Sequence, residues 1–208
     1  MDKPEQILTI SAVLDGALSS SDYSGAEAQV KEAILDAQGL IENHLHQKVM
    51  VHRTTQLVEP RDWLVDERTD TTKVRAWAET QPVVQVVSPP ELSVRIGGSR
   101  QFVRNEAQVT EAEYFAGWRR RDQALSDLPT GTDERLDGLT TEPPPLPGEI
   151  RRVALNLTLY ALNEAEHAPG ITDRQQATGA GTVTISGPDP GFEQRQLRKL
   201  DRYRRAQP

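Results

Sequence analysis

The chain has 208 residues and no cysteine, which excludes disulfides, thiolate zinc sites and a cysteine nucleophile. Hydrophobic residues make up 36% and charged residues 26%, a balance that supports one modest core with arms and much polar surface. A formal charge of -7 sets the molecule as a whole against nucleic acid and anionic membranes.

Met1 to Glu5 carries neither the basic region nor the apolar run of a signal peptide, and no stretch reaches the roughly 20 apolar residues of a membrane span. A soluble protein of a reducing cytoplasm, with no membrane partner, is therefore expected. Ile10, Val13, Leu14, Ala17 and Leu18 fall at steps of three and four and predict a first helix over about 8–18, interrupted by Ser19 to Asp22. Ser24 and Glu27 have the spacing of a capping box, predicting a second helix over about 25–47 with Val30, Ile34, Ala37, Ile41 and Leu45 on one face.

The period then changes. Residues 49–58 alternate in β-branched company until Pro60, and further strands are expected at Trp63 to Val65, Lys73 to Ala78 and Val83 to Val87. Gly97-Gly98 joins Leu92 to Ile96 with Gln101 to Val103 as a hairpin. Tyr114 to Trp118 reads as a last short strand or turn, closing an antiparallel β insertion over about 49–118. Trp63, Trp77 and Trp118 suit a core or a subunit interface, and Gly117 suits a turn that needs positive φ.

Residues 126–148 have almost no apolar periodicity and read as a mobile excursion, ending in Pro143, Pro144, Pro145 and Pro147. Glu149 opens a third helix over about 149–167, whose Ile150, Val153, Ala154, Leu157, Tyr160 and Ala161 are joined by Leu155, Leu159 and Leu162 in a wide apolar face. Pro169-Gly170 closes it. Thr182 to Ser186 is expected to be a strand in need of a partner edge, and Gly187-Pro188-Asp189-Pro190-Gly191 sets the segment from Phe192 onward apart as an arm. The fold class expected is thus α+β: mainly a helical bundle, with a mid-chain antiparallel β insertion and an extended carboxyl-terminal arm. The body spans 1–181 and the strand and arm 182–208.

The arm is cationic. From Glu193 to Arg205 six basic residues face two acidic ones, a local +4 that leaves -11 on the rest of the chain. Such a tail can dock on an acidic neighbour. Phe192, Leu197, Leu200 and Tyr203 offer apolar contacts framed by Arg195, Arg198, Lys199 and Arg202.

No residue set calls for catalysis, a cofactor or a metal. His44 and His46 are two apart, about 200° around a helix, so they cannot face one ion unless the helix has ended, and His52 belongs to no metal motif. Asp66-Glu67 and Asp133-Glu134 sit in polar, turn-like surroundings that suit solvated surface better than acid–base work. There is no Gly-x-Ser-x-Gly, phosphate loop or dinucleotide fingerprint. Arg119-Arg120-Arg121 and the basic tail leave a second reading open, a nucleic-acid-binding protein.

The order of these parts resembles the head-to-tail connector, or adaptor, proteins of long-tailed bacteriophages and related gene transfer particles. The matching series is a short helix, a helix carrying Ala37, Ile41-Glu42 and Leu45 that runs into strands, the Tyr-x-x-Gly signal of Tyr114 and Gly117, and a proline-led apolar helix containing Leu159-Tyr160. It spans about Ile7 to Leu162. The excursion over 126–148 is longer than the tight connection usual at that place, and the segment after Thr182 is more elaborate than in the shortest members of that pattern. The resemblance implies a non-enzymatic virion protein of the neck, a dodecameric ring between the portal protein and the stopper or tail-terminator protein, through whose channel DNA passes without specific binding. It further implies that the carboxyl-terminal arm reaches the portal, which maps onto Gly187 to Pro208, where Phe192, Arg195, Arg198, Lys199, Arg202 and Tyr203 are the expected contact residues. An acidic body would suit such a channel by repelling phosphates.

Overall fold

The structure, a computed structural model, describes residues 6–16, 27–57, 64–65, 73–90, 92–94, 101–105, 111–128, 136–166, 173–178, 181–186 and 191–204. It is α+β. In chain order come α1 (Ile10–Gly16) and α2 (Glu27–Leu45), then strands β1 (His52–Leu57), β2 (Leu64–Val65), β3 (Lys73–Trp77), β4 (Val83–Ser88), β5 (Leu92–Val94), β6 (Gln101–Asn105) and β7 (Glu111–Ala116). Helix α3 (Gly148–Glu166), the hairpin of β8 (Asp173–Thr178) and β9 (Gly181–Ser186), and α4 (Phe192–Arg198) complete it.

The helices pack through the stripes that their spacing dictates. Val30, Ile34, Ala37, Ile41 and Leu45 of α2 share one core with Ile150, Val153, Ala154, Leu157 and Leu162 of α3, and Val13 of α1 joins them. Burying each large aliphatic side chain is worth about 1.5–3 kcal/mol, and most helix stability in proteins comes from such packing. Thr9 caps α1 by accepting from the Ala12 amide at 3.1 Å. The start of α2 at Ser24 lies outside the described residues.

Helix α2 ends in a Schellman turn: the amide of Gln47 donates to the Glu42 carbonyl at 3.2 Å and that of His46 to Asn43 at 3.4 Å. His46 occupies the left-handed position with φ 55°, where glycine is the usual residue. The Glu42 carboxylate then accepts from the Val49 amide at 3.1 Å, which aims the chain into the sheet.

The expected β region is present and antiparallel. One sheet has the order β1-β7-β4 and another β2-β3-β6-β5. The pairing of Leu92 with Arg104 and of Val94 with Phe102 matches the expected hairpin, while its Gly97-Gly98 turn lies outside the described residues. Tyr114 to Ala116 is no mere turn but the end of the central strand of the first sheet, with Tyr114, Phe115 and Ala116 fully buried.

Two expectations for the later part of the chain need correction, and a third, the strand that needs a partner edge, is met within the chain. The described part of the 126–148 excursion is packed down: Leu128, Leu136 and Leu139 bury against Val51 and Phe115, forming a second small core over the sheet. Gln85 fastens the same segment, accepting from the amides of Thr140 at 2.8 Å and Thr141 at 3.0 Å and donating to the Gly138 carbonyl at 2.8 Å. Isolated leucines in irregular backbone have no period to read, so the pattern missed them. The strand from Thr182 has a partner within the chain, since β8 and β9 pair from Asp173↔Ser186 to Thr178↔Gly181. Finally, residues 191–204 are not a detached arm. Leu200 is fully buried in the main core, with Phe192, Leu197 and Tyr203 packed around it.

Candidate functional site

Tyr114 and Gly117 lie at one junction of the fold. At Gly117 the backbone turns with φ +112°, and a Cβ there would fall 2.7 Å from the Met50 carbonyl oxygen. Only glycine lets the two segments approach this closely. The Gly117 amide donates to Pro82 at 2.9 Å and the Trp118 amide to Val49 at 2.9 Å, while the Val51 amide donates back to Trp118 at 2.9 Å. The chain leaving α2 and the chain leaving β7 are thereby sewn together.

Tyr114 anchors the other side. Its hydroxyl accepts from the Thr80 amide at 3.2 Å and donates to Gln56 Oε1 at 3.2 Å, and Gln56 Oε1 also accepts from the Glu79 amide at 2.8 Å. Burial pushes the Tyr114 phenol above its ordinary range. The buried Gln47 extends the network by accepting from the Gln81 amide at 3.1 Å.

Two of the three consecutive arginines hold backbone. Arg119 donates from Nε to the Pro143 carbonyl at 3.1 Å and from Nη1 to the carbonyls of Arg120 at 3.2 Å and Gln123 at 2.7 Å, and it pairs through Nη2 with Glu142 at 2.8 Å. Arg121 Nε donates to the Leu146 carbonyl at 3.2 Å. A guanidinium fork suits such multiple bonds. Together with the backbone bonds Arg119 to Pro144 at 3.0 Å and Leu146 to Arg119 at 2.8 Å, these place the proline lead-in at the start of α3.

The carboxyl-terminal residues expected from sequence to make contacts divide into two sets. Phe192 stacks on Tyr160 with centroids 4.6 Å apart, and Tyr203 meets Trp118 edge to face at 6.5 Å. Arg202 pairs with Glu149 and donates to the Tyr203 hydroxyl at 2.8 Å. These three join the segment to the body. Arg195, Arg198 and Lys199 remain exposed, although Lys199 also donates to the buried Gln196 at 2.8 Å. The apolar stripe of this segment was legible in sequence; that its partner is α3 of the same chain was not.

Two histidines engage this segment too. His44 Nε2 lies 2.9 Å from Asp201 Oδ1 and His46 Nε2 lies 2.9 Å from Arg204 Nη2. The helix has ended between them, so the angular argument against a shared ion lapses, but each ring meets its own partner in the carboxyl-terminal segment. His52 donates from Nδ1 to the Met50 carbonyl at 3.0 Å, and burial lowers its pKa. Among the described residues there is no group of three His, Cys, Asp or Glu side chains placed to hold a metal ion, and no helix is long and apolar enough to cross a membrane.

Trp63 and the acid pairs Asp66-Glu67 and Asp133-Glu134 lie outside the described residues. Trp118 is buried beside Met50 in the main core. In comparisons with known proteins, no family model and no curated protein matches the chain.

Proposed function

We propose that this chain is a structural protein of the phage neck, a ring-forming head-to-tail connector subunit that binds the portal and joins it to a stopper or tail-terminator protein. In this reading α1, α2 and α3 form the connector's helical bundle, β1 to β7 its insertion, and α4 a terminal segment docked on that bundle. The observation that carries the reading is the meeting of the resemblance's parts at one place. The Tyr-x-x-Gly signal closes on the chain leaving α2, and the chain beyond it leads through Arg119 and the prolines into α3.

The docked state of α4 narrows the portal-binding surface to the exposed cations Arg195, Arg198 and Lys199. Phe192 and Tyr203 then act by holding the helix in place. A nucleic-acid-binding role draws less support, because Arg119 and Arg121 are committed to backbone carbonyls. The test is to mix the purified protein with the portal of the same particle and image for a stacked ring. A ring on the portal that the double variant Arg195→Glu/Arg198→Glu fails to form supports the reading. No ring from the natural chain, or absence of the protein from mature virions, overturns it. Truncation is a poor substitute, since removing Leu200 would damage the core.

A further inference from the structure

At the amino-terminal end of α3 the chain carries a cavity of about 470 Å³, walled by Ile7, Thr9 and Ser11 on one side and by Arg120, Arg121 and Arg151 on the other. Among the described residues, Asp122 is the single carboxylate in its lining. Arg121 gives its Nε to the Leu146 carbonyl at 3.2 Å, while Arg120 and Arg151 are poorly compensated. Arg120 is 14% exposed in its side chain, with Asp122 3.5 Å away, yet its buried Nε and Nη1 make no hydrogen bond. Among the described residues no carboxylate pairs with Arg121 or Arg151. Glu149 in the first turn of α3 is engaged by Arg202, so the cations lining the cavity near the positive end of the helix dipole still repel one another, and an arriving carboxylate would relieve that repulsion.

The same chain presents the complementary surface. On the outer face of α2, Leu35 is 46% exposed, and it is flanked by the exposed Glu32 and Asp36. Glu32 and Asp36 are four apart, an arrangement of like charges that weakens a helix, and among the described residues no cation pairs with either. One patch is therefore anionic with a protruding apolar side chain, and the other is a cationic depression.

We propose that the α2 face of one copy, through Glu32, Leu35 and Asp36, seats at the arginine cavity of a second copy. Because the two patches are different residues of one chain, the contact is head to tail, the kind that generates rings or open filaments rather than closed pairs. It supplies the subunit contact that a ring-forming role requires, but it does not depend on the portal.

The absence of native cysteine makes a direct test clean. Two single-cysteine variants, Asp36→Cys and Arg151→Cys, are mixed in equal amounts under mild oxidation. The expected product is mainly the mixed disulfide, in clear excess over the two homodisulfides. A statistical mixture of the three, or no mixed product, overturns the contact. In a second arm, sedimentation of cysteine-free protein is compared with Arg151→Glu and with Glu32→Lys/Asp36→Lys. Each is expected to weaken self-association about tenfold, and an equimolar mixture of the two variants is expected to recover pairwise binding through the swapped charges. Failure to recover binding also overturns the proposal, as does DNA retention that Arg151→Glu abolishes in the absence of mixed disulfide. Mixed disulfide without portal binding would sink the neck assignment and leave this contact standing.

Discussion

Gly117 faces Met50 so closely that a Cβ built on the glycine would lie 2.7 Å from the methionine's carbonyl oxygen. The contact is to backbone, which cannot swing aside as a side chain would. Gly117→Ala is therefore expected to lose about 3 kcal/mol or more, combining the clash with the strain of φ +112°. Urea denaturation measures it, and a loss under about 1 kcal/mol would mean that the junction yields easily.

Tyr114→Phe keeps the ring but removes the hydroxyl that joins Thr80 to Gln56. A loss of about 1–2 kcal/mol is expected at neutral pH. Because burial raises the phenol's folded pKa, the folded state resists ionisation and the native protein should lose stability as pH rises past about 10, the unfolded value. The Phe variant should lack that component of the alkaline loss when the two are compared across the same pH range.

His52 should show the opposite sign. Burial is the largest influence on it and Lys48 adds in the same direction, outweighing the Met50 carbonyl and Glu42, so its folded pKa lies below the ordinary value. Its contribution is complete above the unfolded value of about 6.5 and is lost as pH falls through the lower folded value. An NMR titration placing His52 at or above 6.5 would contradict the assignment.

Leu200→Ala should cost about 2–4 kcal/mol, as for a fully buried leucine. It should also raise amide exchange in α4 while sparing β1 and β7, because Leu200 is the fully buried anchor of the segment, whose Phe192, Leu197 and Tyr203 are only partly buried. Uniform change across the molecule would show that α4 is not a separable unit.

At His46 the left-handed backbone and the side chain pull in different directions. His46→Gly should relieve about 1 kcal/mol of backbone strain while giving up the contact with Arg204. Net stability close to that of the natural chain, with looser residues 201–204, is the expected result by denaturation and exchange.

The regular elements were legible because their residues obey a period. Val30, Ile34, Ala37, Ile41 and Leu45 repeat at helical spacing and all are buried, and the alternation after Val49 became a strand. Leu128, Leu136 and Leu139 follow no period, so their burial over Phe115 could not be read. The stripe of Phe192, Leu197, Leu200 and Tyr203 was visible, but amphipathicity says only that a face will be covered, not by which element. The arginine cavity was hidden for a similar reason: Ile7 and Arg151, far apart in sequence, are brought together by the packing of the amino-terminal segment on α2 and α3.

Trp118 receives contacts from both directions of the chain, with Val49 and Val51 bonded to its backbone and Tyr203 against its ring. During synthesis the β region and α2 emerge from the ribosome long before Leu200 and Tyr203 do. The nascent polypeptide must therefore carry an open flank on its main core until the last of these residues has been translated.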